Sequence, residues 1–594
     1  DYALSQTSRE LLTCTDGSGG FCATGDALSL SPFDTSNADI SAAALGAANA
    51  TERNDLIDWV RGEDQFDENA NTQTSDIRAS VHGDVLHSRP AVINYGRNGP
   101  ADENDVYAFY GSNDGVFRAV KGGTGTDGGT EVWGFIPKEF FGKLKRLRDD
   151  APVISSAQKK PYFVDGSVGI YQEDINGDGA LVAADGDKVY LYLGMRRGGR
   201  LLYALDVSDP ANPAMLWRRD NNSTGFAEMG QTWSAPTVAN VPGYMNPVLI
   251  MGSGYDAAVE DVMPCLVTAS NASGVTWTSG GAVTYLPGTC TVSGGSSTTT
   301  SRSMGRGVMV VDAFTGNLLW QAGASVSGAT HNLTVAGMNY SVSSDVSVID
   351  TNRDGTKDTG YVGDNGGNLW RLNLNDVDPA NWTVQKVAAI GAHTAAERRK
   401  FQQAPDVVFA NDGGGYFSAV LLGSGDREHP FDATVTNQFY MFKDRGTGTA
   451  VVESDLFDAT AATGSNAYGY KITLAAGEKA ISSAVTLSEA TYFNTNQPSA
   501  SAGVGVCGSN LGVARQYAVN YLSAAAANTT VSGTEISARA VIYPGGGYLP
   551  SPTPVVVRLN GKNYMGVVSG TSVQTPPTPT LDVRSKTFWS IKDR

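Results

Sequence analysis

Short apolar runs alternate along this chain with clusters of Gly, Asn, Asp, Ser and Thr, and one phrase returns seven times. It consists of a Gly-rich turn, a short β-rich run holding an aromatic or large apolar residue, and then polar turn residues. It reads NDGVFRAVKG from Asn113, GGRLLYALDVSD from Gly198, RGVMVVDAFTGNLLW from Arg306 and NGGNLWRLNLND from Asn365. It returns as NQFYMFKDRGTG from Asn437, ARQYAVNYLS from Ala514 and TFWSIKDR from Thr587. Most copies follow a second run that closes on glycine, at Gly111, Gly194, Gly252, Gly363 and Gly423. A third run precedes these: SRPAVINYG at Ser88, SAPTVANV at Ser234, APDVVFAN at Ala404 and SPTPVVVRLNG at Ser551. Runs of β-branched and aromatic residues bounded by Gly, Asn and Asp read as strands joined by hairpin turns.

Each unit supplies three or four antiparallel strands and cannot bury both of its faces alone. Seven such units arranged radially predict an all-β, seven-bladed β-propeller with quinoprotein-like repeats, which leaves only short sheet edges. Residues 81–594 are assigned to it, at roughly 73 residues per unit against about 40–50 for a blade, so loops take the remainder. The longest excursion, about 256–303, is rich in Ser, Thr and Gly. Two stacked β-sandwiches are the alternative, and the constant internal order of the repeated phrase favours the propeller. The last copy, 587–594, is expected to close the ring against a strand from 87–96.

Residues 1–80 are a lead-in rich in Ala, Asp and Asn, with one short helix over RNDLIDWVRGED at 53–64. Leu56, Ile57 and Val60 fall on one helical face, and Asn54 is the expected N-cap. The lead-in is read as packing against the propeller.

Composition narrows the class. Of 594 residues, 41% are hydrophobic, enough for a packed core and too many for a disordered chain. The 60 acidic and 43 basic residues give a formal charge of −17, which argues against a nucleic-acid groove. No run of 18 apolar residues offers a membrane-spanning helix. The chain starts at Asp1 with no basic-then-apolar segment, as a mature or excised piece would. Its five cysteines form no C-x-x-C pair. The spacings Cys14/Cys22 and Cys265/Cys290 fit local disulfides of an exported protein, with Cys507 left over.

Two acidic loops carry the candidate chemistry. DTNRDGTKD places Asp350, Asn352, Asp354 and Asp358 at positions 1, 3, 5 and 9, Gly355 at 6 and the Thr356 carbonyl at 7. Calcium is a hard cation taking 6–8 oxygen ligands, and alternate residues of a tight loop can present them. Position 12 is Tyr361, so the bidentate Glu of an EF-hand is missing and the flanks read as strands. DINGDGALVAAD is the second, weaker candidate, with Asp174, Asn176, Asp178, the Ala180 carbonyl and Asp185 at position 12. In both cases the rival is an ordinary Asp/Asn/Gly turn. His82 and His87 read as structural histidines. Asp426, Arg427, Glu428 and His429 read as a loop salt-bridge network rather than an acid–base cluster. No G-x-S-x-G elbow, P-loop or H-E-x-x-H occurs, so no enzyme is expected.

With these phrases together, the chain resembles the C-terminal propeller domain of the PilC/PilY family of type IV pilus tip-associated biogenesis factors and adhesins. The resemblance rests on LIDWVRGE (56–63), HGDVLHSRPAVINYG (82–96), YGSNDGVFRAV (110–120), EVWGFIP (131–137), YFVDGS (162–167) and GGRLLYALDV (198–207). DTNRDGTKDTGYVGDNGGNLWRLNL (350–374), GSGDREHP (423–430) and NLGVARQY (510–517) complete it. It implies a calcium site on Asp350, Asn352, Asp354, Thr356 and Asp358, and a non-enzymatic, exported protein at the pilus tip and outer membrane. It also implies minor pilins as partners, with host or abiotic surfaces as targets of adhesion, and roles in pilus assembly, opposition to retraction and twitching motility. No Arg-Gly-Asp tripeptide occurs, Arg61-Gly62-Glu63 being the nearest. Two rivals stay open: a quinoprotein dehydrogenase, although no adjacent cysteines exist to stack a quinone, and an outer-membrane assembly scaffold.

Overall fold

The computed structural model describes residues 8–15, 29–99, 102–155, 158–261, 267–268, 275–277, 290–292, 299–300, 304–391, 395–446, 448–499, 511–528, 533–559 and 562–574. Its regular structure is overwhelmingly β.

Among the described residues, seven larger sheets, antiparallel over the strands named below, follow one another in chain order, with an eighth, small sheet between strands of the third. Sheet I holds Ala91–Asn94, Val106–Gly111, Phe117–Lys121 and Glu131–Phe135, and sheet II holds Val168–Glu173, Lys188–Gly194, Leu201–Asp206 and Ala214–Asp220. Sheet III begins Thr237–Ala239 and Val248–Gly252, then resumes at Gly307–Asp312 and Leu318–Gly323. Sheet IV is built on Ser347–Ile349, Thr359–Gly363, Asn368–Asn373 and Thr383–Ala389, and sheet V on Asp406–Asn411, Tyr416–Gly423, Gln438–Asp444 and Gly469–Thr473. Sheet VI has Val485–Leu487, Ala490–Gln497, Val513–Asn520 and Ala540–Tyr543, and sheet VII has Thr553–Leu559, Lys562–Ser569 and Ser572–Gln574. Six copies of the repeated phrase supply the third strand of sheets I to VI. The seventh, 587–594, lies outside the described residues, as does its expected pairing.

The middle strands explain why the phrase is so apolar. Strand Val248–Gly252 is buried throughout, and its side chains alternate between two cores. Leu249 and Met251 pack with Tyr192, Leu202 and Trp217 of sheet II. Val248 and Ile250 pack with Val362, Trp370 and Leu372 of sheet IV. Successive side chains of a strand leave opposite faces, so a strand sandwiched between sheets shows no polar face and reads as a continuous apolar run. Indoles tie neighbouring sheets as well: Trp133 Nε1 donates to the Pro210 carbonyl at 2.8 Å and Trp217 Nε1 to that of Ala313 at 2.9 Å. Gly316, at φ +69°, lies where a Cβ would come within 2.6 Å of the Trp217 ring, so both turn and packing require glycine.

The chain enters all seven sheets from one side of a shared cavity of about 240 Å³. Ser88, Ser167, Trp233, Ser343, Gln403 and Ser551 precede the first strands of sheets I to V and VII, Ile481 lies between strands Lys479–Ala480 and Val485–Leu487 of sheet VI, and all line it. Arg89 Nη2 reaches Ser551 Oγ at 3.4 Å, joining the entry of the first sheet to that of the last.

The lead-in differs in detail from expectation. It contains α1 (Ala42–Leu45) and α2 (Ala50–Arg61), and strand Leu11–Thr15 adds to sheet I parallel to Glu131–Phe135. Strand Ser29–Pro32 pairs outside it. The N-cap of α2 is Asn49, whose side chain accepts from Glu52 N–H at 3.0 Å, while Glu52 reaches back to Ala48 N–H. Asn54 is inside the helix, because Ala50, Thr51 and Glu52 extend it by one turn. Leu56, Ile57 and Val60 do face the core, beside Phe109 and Phe117. A third helix, α3 (Phe141–Asp149), packs on α1 and α2.

Arg9 Nε, 2.8 Å from Glu131, and Arg118, at 2.9 Å, bind the lead-in to sheet I through buried charges. Arg61 buries its guanidinium against the Phe33 and Arg9 carbonyls, so the Arg61-Gly62-Glu63 tripeptide is not displayed. The excursion at 256–303 is not wholly loop: four short strands within 267–300 form a small sheet. Cys14 is buried and disulfide-bonded. Cys22, its expected partner, lies outside the described residues with Cys265 and Cys507.

Candidate functional site

Both acidic loops connect the first strand of a sheet to its second. Residues 350–358 join Ser347–Ile349 to Thr359–Gly363, with Ile349 opposite Thr359. Residues 174–187 join Val168–Glu173 to Lys188–Gly194, with Glu173 opposite Lys188.

The two loops fold alike, position for position. Asp350 accepts from Arg353 N–H through Oδ1 and from Gly355 N–H through Oδ2, the latter at 2.9 Å. Asp174 accepts from Gly177 N–H at 2.7 Å and Gly179 N–H at 2.9 Å through the same two oxygens. Asn352 Oδ1 accepts from Asp354 N–H at 2.9 Å, and Asn176 Oδ1 from Asp178 N–H at 3.0 Å. Asp354 Oδ1 accepts from Thr356 N–H and Asp178 Oδ1 from Ala180 N–H, both at 2.8 Å. Positions 4 and 6 are left-handed in both: Arg353 at φ 63° and Gly355 at 96°, Gly177 at 71° and Gly179 at 84°. Glycine is the favoured residue there, and the first loop holds a non-glycine at position 4.

A buried aspartate closes the base of each loop. Asp358, fully buried, accepts from Thr351 N–H and, at 2.8 Å, from Thr351 Oγ1. In the second loop this place belongs to Asp187, which accepts from Ile175 and Val182 N–H, each at 2.9 Å. Sequence spacing named Asp185 at position 12, whose side chain meets the loop through Asn176 Nδ2 at 3.5 Å and whose N–H donates to the Val182 carbonyl at 2.9 Å. Asp187 falls outside a twelve-residue window. Its signal was its place immediately before a strand, as with Asp358.

Asp350, Asn352 and Asp354 are thus brought together on one turn, with Asn352 Nδ2 donating to Asp354 Oδ2 at 2.9 Å, and Asp358 sits beneath them. Hydrogen bonding to the Thr356 hydroxyl, then to its N–H and to Asn352, holds the Asp354 carboxyl below its usual range. Among the described residues no three His, Cys, Asp or Glu side chains gather as a metal-binding group. Each loop instead offers two carboxylates, an amide and a carbonyl on its turn, with a third carboxylate, Asp358 or Asp185, further along it. That all-oxygen donor set fits a hard cation, and the two Asp350 oxygens and Asp354 Oδ2 each accept a single turn hydrogen bond, which leaves each a lone pair.

The other candidates are partnered. His82 lies 3.0 Å from Tyr110 Oη and His87 2.7 Å from Asp165 Oδ2. Burial pushes both imidazoles toward the neutral form. In the 426–429 run, Asp426 hydrogen-bonds His429 Nδ1 at 2.8 Å and pairs with Lys400 at 2.7 Å, and Glu428 pairs with Arg197 Nε at 2.6 Å.

Comparison with known proteins follows the same line. The type IV pilus biogenesis factor PilY1 of Pseudomonas aeruginosa strain UCBPP-PA14 is 24% identical over 373 residues, covering 59% of this chain and 26% of that protein. A PilY1 homolog of Xylella fastidiosa is 25% identical over 366 residues, covering 57% and 20%. The crystal structure of the Pseudomonas aeruginosa PilY1 C-terminal domain superposes with a TM-score of 0.51 at 17% identity, covering 80% of this chain and 92% of that one. The chain is a homologue of PilY1 proteins over more than half its length. It matches about a quarter or less of those relatives' own lengths. The structural likeness establishes a shared all-β fold. No family model matches.

Proposed function

We propose that this chain is the C-terminal part of a type IV pilus biogenesis factor, exported to the cell surface and working at the pilus tip without catalytic turnover. The observation that carries the reading is the kinship with PilY1 proteins across 373 residues. The seven sheets are the seven blades of a propeller in this reading, supported by their chain order and by the cavity that all seven entries share.

Asp350, Asn352, Asp354, the Thr356 carbonyl and Asp358 would hold a calcium ion, and Asp174, Asn176, Asp178, the Ala180 carbonyl and Asp185 a second one. Bound calcium would supply positive charge against the loop carboxylates. Asp358 also pins the base of the first loop, as Asp187 does that of the second, and left-handed residues at positions 4 and 6 fold each turn. The partners are minor pilins, and the outcomes are pilus assembly, resistance to retraction, surface adhesion and twitching motility.

The test is co-purification of the chain with minor pilins, with and without chelator, beside a count of surface pili in cells carrying Asp354→Ala. Retention of minor pilins that chelator weakens supports the reading. Failure to retain any pilin component, with pilus number normal when the chain is deleted, would overturn it.

A further inference from the structure

Three arginines from distant parts of the chain, Arg89, Arg196 and Arg427, face the cavity that the seven sheet entries share. They are unusual in a chain of formal charge −17. Among the described residues, neither Arg89 nor Arg427 has a carboxylate within ion-pair distance: Arg89 reaches only Ser551 Oγ at 3.4 Å, and Arg427 lies 5.4 Å from the Tyr548 ring centroid. Arg196 lies over Trp233, its Cζ 4.0 Å from the ring centroid, and Trp233 stacks on Tyr255 at 3.9 Å. Its Nε is buried with no hydrogen-bond partner. Glu428 reaches Arg196 only at 3.7 Å, because Arg197 holds that carboxylate at 2.6 Å.

The lining carboxylate is Asp345, which accepts from Ala235 N–H at 2.6 Å. His87, also in the lining, is tied to Asp165 and kept toward neutrality by burial. Burial pushes Arg196 down to about 10 and lowers Arg427 as well; Glu428 opposes both shifts, while Arg427 adds to the first and Arg89 to the second. Three guanidinium groups therefore share one cavity whose lining holds a single carboxylate, with Glu428 beside Arg196 behind it. Such an arrangement stores repulsion that an anion relieves, and a guanidinium fork matches a carboxylate in two hydrogen bonds.

We infer that this cavity binds a small organic polycarboxylate between Arg89, Arg196 and Arg427. The volume sets the size: about 240 Å³ is below the range of roughly 300–1,000 Å³ that takes drug-sized ligands. A di- or tricarboxylate of a few carbons fits it, and a folded partner does not.

Isothermal titration with citrate, at constant ionic strength maintained with sodium chloride, tests this. One saturable site per chain is expected. Arg427→Gln is expected to weaken binding about tenfold, the equivalent of one charge-assisted hydrogen bond. Asp345→Asn keeps the acceptor for Ala235 N–H but removes the opposing charge, so it is expected to tighten binding. A purely structural role would not produce that reversal of sign. Should Arg427→Gln lower the melting temperature, Arg89→Gln, at the exposed rim, gives the same reading on a folded protein. Absence of saturable heat up to about 10 mM citrate, affinity unchanged in both arginine variants, or binding of inorganic phosphate but not citrate would each overturn the inference.

Discussion

The Lys357 N–H donates to the Asn240 carbonyl across 2.7 Å, linking the eighth position of the first acidic loop to the residue that follows the first strand of the preceding sheet. Leu181 does the same to Tyr95, also at 2.7 Å, from the eighth position of the second loop. Each candidate cation loop is therefore a clasp between consecutive sheets as well as a turn within one. Ordering the loop orders the joint.

Asp354→Ala should abolish calcium binding at the first loop with little loss of fold, because this carboxylate is exposed and hydrogen-bonds only within its own turn. With no bidentate Glu, affinity should fall nearer the roughly 10⁻⁴–10⁻³ M of extracellular modules than that of tight buffers. Calorimetry on the wild-type protein and the variant decides. Equal calcium heats in both would remove the loop as a site.

Asp187→Ala should destabilise the protein by about 1–3 kcal/mol, since it strands two backbone N–H groups around a buried position. Asp185→Ala should stay within about 0.5 kcal/mol of wild type, as an exposed substitution does. Urea unfolding of the pair checks the equivalence of Asp187 with Asp358. The opposite ranking would refute it.

Trp217→Ala should cost about 3–5 kcal/mol, the toll of a large cavity in a packed core. Trp217→Phe should cost less and still register the loss of the bond to Ala313. Denaturant midpoints give both values, and a change below about 1 kcal/mol for the alanine variant would show that the interface between sheets II and III does not depend on this side chain.

Stability should fall as pH drops below about 6.5, the ordinary value of histidine. Burial lowers the folded-state pKa of His82 and His87 beneath that value, so between the two the unfolded chain binds the extra protons. The contribution is complete above the unfolded value and is lost as pH falls through the folded one. His82→Gln with His87→Gln should flatten the dependence of the urea midpoint on pH between 6.5 and 5. An unchanged slope would assign the acid sensitivity to carboxylates.

The repeating sheets were legible because strands buried on both faces leave long apolar runs, and VLIMG at 248–252 or VYLYLG at 189–194 can be little else. Helix α3 escaped notice because only Phe141 and Leu144 along it are buried, too short a stripe to register as a period. Spacing alone placed Asp350, Asn352 and Asp354 on one turn. It missed Asp187, whose role depends on where the strand begins rather than on a count from Asp174. The arginine-lined cavity was invisible for a different reason: residues 89, 196 and 427 meet only when separate sheets converge.

Gly252 stands opposite Val308 at the base of the long excursion, so its two ends are fixed a strand spacing apart, about 4.8 Å, whatever lies between them. Ion pairs from Glu260 to Lys400 at 2.8 Å and from Asp261 to Arg197 at 2.9 Å anchor its root to the body of the protein. Closing such a loop costs only about 0.6 kcal/mol for each doubling of its length. The frame is thereby insulated from the segment it carries, and sequence there is free to drift, lengthen or be exchanged. Related chains should share the socket and differ most in what is plugged into it.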